Sequence, residues 1–113
     1  MRTVARRLEY DAMWILRSVG DTEAEEDPLF TFRLGTGAIK TIGRAPRADF
    51  IVDAALVSRL HCRLTAGEES VEAVDLSSTN GTYLNDTRVT RAQLTSGDRL
   101  RVGRVEFTIE RQD

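Results

Sequence analysis

The sequence predicts an all-β domain, and three observations carry that reading. Apolar and polar residues alternate with the two-residue period of half-buried strands in several short segments. Turn signals interrupt those segments about every eight to twelve residues, the spacing of a sandwich or a barrel. Helical periodicity is confined to residues 2–12, so no alternating helices support a parallel sheet, and there is no internal repeat.

Residues 2–12 place Val4, Ala5, Leu8 and Ala12 roughly on one face. Eleven residues or so are marginal for a helix without tertiary contacts, so residues 1–12 read as a tail or an extension and 13–113 as the domain. Trp14 to Arg17 forms a compact apolar run that ends near Gly20. An acidic loop follows, with Asp21, Glu23, Glu25, Glu26 and Asp27 before Pro28. This loop reads as solvated, and Thr22 within it has the setting of a kinase substrate. Phe30, Phe32 and Leu34 alternate with Thr31 and Arg33. Gly35 and Gly37 turn the chain, and Ala38 to Ile42 returns. Cys62, Leu64 and Ala66 alternate with His61, Arg63 and Thr65, and Gly67-Glu68-Glu69 connects them to Ser70–Leu76 as a hairpin. Leu100 and Val102 lead through Gly103-Arg104 into Val105, Phe107 and Ile109, a hairpin by alternation and turn length. Trp14, Phe32 and Phe107 are assigned to the core, and Cys62 reads as a small buried hydrophobe. Pattern alone does not separate a sandwich from a barrel.

The chain has 113 residues, the size of one domain, with 41% hydrophobic and 30% charged residues, ordinary for a globular protein. A net charge of −2 argues against a general nucleic-acid binder, for which a strongly basic domain is expected. Lys40 is the lone lysine among many arginines, and arginine carries the planar fork that suits phosphate. A single cysteine, Cys62, excludes an intrachain disulfide and a thiolate zinc cluster. With no membrane-length apolar run and no secretory signal pattern, the expected setting is intracellular: cytoplasmic, or nuclear in a eukaryote.

Three polar segments fall between strands: Gly43-Arg44 with Ala45-Pro46-Arg47, Ser58-Arg59-Leu60-His61, and Leu76 to Thr82. In an antiparallel sandwich the loops gather at the two ends, so separate loops can build one site. Arg44 and Arg59 supply charge-assisted donors, Ser58 and Thr79 hydroxyls, and Asn80 an amide that both donates and accepts. No acidic residue lies inside these segments. The set suits an anionic oxygen ligand such as a phosphate ester. Each residue also has a plainer reading: a solvated arginine, a capping hydroxyl, or, for Asn80-Gly81, a hairpin turn.

Gly43-Arg44, Ser58-Arg59-Leu60-His61 and Ser78-Thr79-Asn80-Gly81-Thr82, in this order and spacing, resemble the forkhead-associated (FHA) domain, as do Gly97-Asp98-Arg99-Leu100 and Val102-Gly103. The resemblance covers about Met13 to Arg111. It implies a β-sandwich of two twisted, mainly antiparallel sheets whose loops at one end bind phosphothreonine peptides. It implies that Arg44, Ser58 and Thr79 hold the phosphate, that Arg59 adds a further contact, and that Asn80 holds the ligand backbone. His61 matches a brace beneath the loops, and Gly43 and Gly81 match turn positions. The implied partner is a phosphothreonine-containing protein downstream of a Ser/Thr kinase. No cofactor, metal, nucleic acid or membrane enters.

A hydrolase would need Ser58 as nucleophile and His61 as base. Three residues apart at the start of a strand, the two are expected to point to opposite sides, and there is no Gly-x-Ser-x-Gly elbow. One His and one Cys do not complete a metal shell. The remaining alternative is a scaffold domain that binds a partner through a sheet face without phosphate.

Overall fold

A computed structural model describes residues 12–19 and 29–112. The candidate helix before Ala12, the acidic run 21–27 and Thr22 lie outside the described residues. The described residues form eleven strands in order: β1 (Met13–Ser18), β2 (Thr31–Gly35), β3 (Ile39–Gly43), β4 (Phe50–Ile51), β5 (Cys62–Ala66), β6 (Val71–Asp75), β7 (Thr82–Leu84), β8 (Thr87–Val89), β9 (Arg91–Leu94), β10 (Arg99–Val102) and β11 (Val105–Gln112). They form a six-stranded sheet ordered β2-β1-β11-β10-β7-β8 and a five-stranded sheet ordered β4-β3-β5-β6-β9. The pairings are antiparallel except β3 with β4. The fold is the two-sheet sandwich that the resemblance implied.

Alternation sets which residues enter the core. Leu64 and Ala66 of β5, Val71 and Ala73 of β6, and Phe107 and Ile109 of β11 are all buried between the sheets. β1 is buried on both faces, since Ile15 is covered as fully as Trp14 and Leu16. That is why its sequence reads as an apolar run instead of an alternation. The Trp14 indole reaches the Gly67 carbonyl at 2.9 Å, which satisfies its one donor in the interior. Phe32 is half-buried, stacked on Phe50 with ring centroids 4.4 Å apart and tilted against Phe107.

Two details depart from the sequence reading. Ala12, assigned to the tail, is buried and donates its N–H to Thr36 Oγ1 at 2.8 Å, while its carbonyl accepts from Thr36 N at 3.0 Å. The folded unit therefore includes Ala12. A two-residue hairpin turn falls not at Asn80-Gly81 but at Asn85-Asp86, where φ is 48° and 72° and Leu84 pairs with Thr87. Positive φ at both central residues is what a type I′ turn demands, and Asn and Asp tolerate it best after glycine.

Candidate functional site

β3 ends at Gly43, β4 at Ile51 and β6 at Asp75, so the connections 44–49, 52–61 and 76–81 converge at one end of the sandwich. Gly43 is where they first touch. A Cβ there would stand 2.1 Å from the Arg59 carbonyl oxygen and 2.9 Å from Leu60 Cα, a collision with backbone. Its role is therefore close approach at the end of β3, not a turn. Across this contact Arg44 N donates to the Ser58 carbonyl at 2.9 Å and Ala45 N to that of Arg59 at 3.0 Å. Gly81 has φ +91°, the conformation that favours glycine at a turn.

His61 is fully buried beneath the loops. Its Nδ1 accepts from the Ser58 N–H at 3.0 Å, so Nε2 carries the ring proton and donates to the Gly81 carbonyl at 2.8 Å. The ring thus joins the second polar segment to the third. It turns back toward Ser58, contrary to the expectation of opposite sides, because the ring meets the Ser58 amide. The Ser58 hydroxyl has a different partner, accepting from Thr79 N at 3.0 Å. A nucleophile–base pair is not formed.

Asp75 is a second brace, which the sequence reading did not assign. Its carboxylate accepts from the Ser78 hydroxyl at 2.6 Å, the Ser78 N–H at 3.1 Å and the buried Thr82 hydroxyl at 2.7 Å. Ser78 Oγ in turn accepts from Gly81 N at 2.9 Å. Burial pushes the Asp75 carboxyl up. The Ser78 hydroxyl, the Thr82 hydroxyl and the Ser78 N–H, with a smaller pull from His61, outweigh it and hold the group below the usual carboxylate range. The Asp-x-x-Ser spacing was the available signal, a side-chain-to-backbone turn. Thr82, seven positions away, had none.

Above this floor lies an open groove of about 520 Å³ lined by Arg44, Asp53, Leu56, Ser58, Thr79 and Asn80, with Ala54, Ala55 and Val57. Arg44 Nε donates to the Val57 carbonyl at 3.0 Å, fixing the guanidinium and leaving its other N–H groups for a ligand. Because Ser58 Oγ accepts from Thr79 N, its own proton is available to donate. Asn80 Nδ2 holds the Leu56 carbonyl at 3.1 Å, which secures Leu56 at φ 71° and 45% exposed. Arg44, Ser58, Thr79 and Asn80 are brought together. Arg59 is exposed and does not line the groove. Asp53 does, so one carboxylate stands on the groove wall although the three sequence segments contain none. Among the described residues, no group of His, Cys, Asp and Glu is placed to hold a metal ion.

A sandwich with cationic and hydroxyl donors on loops at one end defines an anion-recognition module. The family model described as FHA domain matches residues 40–103, more than half of the chain, and the chain belongs to that family. It is similar to the oxoglutarate dehydrogenase inhibitor of Corynebacterium diphtheriae, 39% identical over 64 residues, covering 57% of this chain and 45% of the relative. It is also similar to the glycogen accumulation regulator GarA of Mycobacterium tuberculosis, 37% identical over 67 residues, covering 59% and 41%. The chain thus spans less than half the length of these relatives. A structure from a study of phosphothreonine-dependent FHA domain interactions superposes with a TM-score of 0.74 at 30% identity, covering 89% of this chain and 98% of the other.

Proposed function

We propose that this domain is a non-enzymatic module that binds phosphothreonine in partner proteins modified by Ser/Thr kinases, in an intracellular setting. One observation carries the reading. The Ser58 Oγ–Thr79 N bond locks two loops so that the Ser58 hydroxyl proton, the Thr79 side chain and the anchored Arg44 guanidinium border one groove. Donors positioned before the ligand arrives lower the ordering cost of binding. Arg44 and Ser58 are the phosphate donors, Thr79 adds a hydroxyl, and Asn80 spans ligand backbone and the Leu56 carbonyl. Arg59 is a further cation at the rim. Neither ring nitrogen of His61 is available for acid–base chemistry, since both are bonded to backbone, which supports a binding role over a hydrolytic one.

The test is a matched set of threonine, phosphothreonine and phosphoserine peptides in fluorescence anisotropy. Phosphate should be required, and phosphothreonine should exceed phosphoserine. Both ligands present the same oxygens, so only the methyl differs. Ala54, Ala55, Leu56 and Val57 offer it apolar surface. Burial contributes about 0.8 kcal/mol, and a fitted site that restricts the rotamer about 1–3 kcal/mol. Equal affinities that both collapse with salt would reduce the site to a general cationic patch.

A further inference from the structure

β2 is an end strand of the six-stranded sheet, and among the described residues no strand pairs with its outer edge. Ser18 N donates to the Phe30 carbonyl at 2.9 Å, and Thr36 N to the Ala12 carbonyl at 3.0 Å. These bonds fix the phase of the ladder: Phe32 and Leu34, in step with Phe30 and Thr36, turn their backbone groups toward β1. The N–H and C=O groups of Thr31 and Arg33 therefore point away from the sheet. Among the described residues no further backbone bond reaches them.

The two sides of this edge differ in chemistry. On the inner side, Phe32 is half-buried and stacks on Phe50 of β4, the end strand of the other sheet, with the rings 4° from parallel. Phe30 is half-buried beside it, its ring centroid 6.0 Å from that of Phe32, and Leu29 is 76% exposed. Aromatic rings thus close the seam between the two end strands but leave its rim uncovered. On the outer side Arg33 is exposed, and Arg17, half-buried, stands opposite Thr31. Among the described residues neither arginine forms an ion pair. Glu110 shares their face, but Ile15 stands between it and Arg33.

A free ladder edge is a template for another strand, and Arg33 decides which. A second copy that added β2 to β2 antiparallel about its centre would set Arg33 opposite Arg33, a destabilising like-charge pair. A strand with a carboxylate at that position gains instead. Its alternate residues fall on the other face, where apolar side chains would cover the aromatic rim. We infer that the β2 edge is a second interaction surface, which accepts an extended partner segment of alternating acidic and apolar residues by strand addition. This surface lies along the side of the sandwich and is independent of what the groove binds.

The test adds a heptapeptide of alternating valine and glutamate to the isotopically labelled full chain, followed by NMR, with a valine–lysine heptapeptide as control. In the free protein the Thr31 and Arg33 amides should exchange rapidly with solvent. The glutamate probe should protect both, and bind about threefold to tenfold more tightly than the lysine probe. Arg33→Glu should reverse that preference. Thr31→Pro removes an outward N–H, a change tolerated on an end strand, and should weaken the glutamate probe at least about threefold. If that variant does not fold, Arg33→Glu carries the test. No binding, equal binding of both probes, protection confined to other strands, or an unchanged preference in Arg33→Glu would overturn the surface. Thr31 and Arg33 amides already protected in the free protein would overturn it too, and protection that grows with protein concentration would assign the edge to a second copy.

Discussion

Replacing His61 by alanine tests whether the recognition loops stand on a buried brace. The ring is fully buried and joins the Ser58 N–H to the Gly81 carbonyl. Removing it leaves one donor and one acceptor without their partner, each costing about 1–3 kcal/mol, and the void adds to this. A loss of about 3–5 kcal/mol is expected, which in a domain of this size lowers Tm by roughly 12 °C or more. Phosphopeptide affinity should fall with it, since Ser58 and Gly81 flank the groove residues. His61→Asn, whose amide carries both an acceptor and a donor but reaches less far, should recover part of the stability. Thermal melts followed by circular dichroism, paired with isothermal titration, separate the effects. An unchanged Tm with binding lost would make His61 a ligand contact and refute the brace.

Arg44→Ala should abolish detectable phosphopeptide binding by titration while the melt stays near wild type, because a charge-assisted partner of a desolvated phosphate contributes on the order of 2–5 kcal/mol. Asp75→Asn should destabilise the domain at pH 7 by about 1.5–3 kcal/mol. Because the folded Asp75 carboxyl is held below its usual value, its stabilisation is present above about pH 4 and is lost as pH falls through the depressed value. Denaturant titrations should show the gap between variant and wild type closing in acid. Burial, with a smaller contribution from the Asp75 charge, pushes the Cys62 thiol up to about 12. Aqueous thiol reagents at neutral pH should therefore leave it unmodified in the native protein and label it on unfolding.

Much of the sandwich was legible because burial imposes a period on the chain. Cys62–Ala66 and Val105–Ile109 alternate in sequence and pair where that pattern predicts. β4, β7, β8 and β9 left weaker traces. β4 is two residues long and exists through a parallel pairing with the end of β3, a contact that local periodicity does not encode. β8 is exposed at Thr87 and Arg88, so no apolar alternation marks it. Its turn uses Asn85-Asp86, whereas the Asn-Gly pair that suggests a hairpin elsewhere serves the loop at Asn80-Gly81. At the site, Arg44, Ser58, Thr79 and Asn80 were legible as residue types between strands. Asp53 and Asp75 were not, because their roles depend on loops meeting in space.

The two layers of the site divide the work of recognition. His61 and Asp75 direct their hydrogen bonds inward, and among the described residues no buried side-chain nitrogen or oxygen lacks a partner. Above them, each groove residue commits only part of its capacity. Arg44 uses one of its five donors on Val57, Asn80 one amide hydrogen on Leu56, and Ser58 an acceptor site for Thr79. The bonds already made fix orientation and leave the remaining donors uncommitted, as the proposed ligand role requires. This also reconciles a phosphate site with a net charge of −2. Affinity for one phosphate depends on a few fixed donors converging at one end of the sandwich, whereas nucleic-acid affinity grows with the number of phosphates neutralised across a surface.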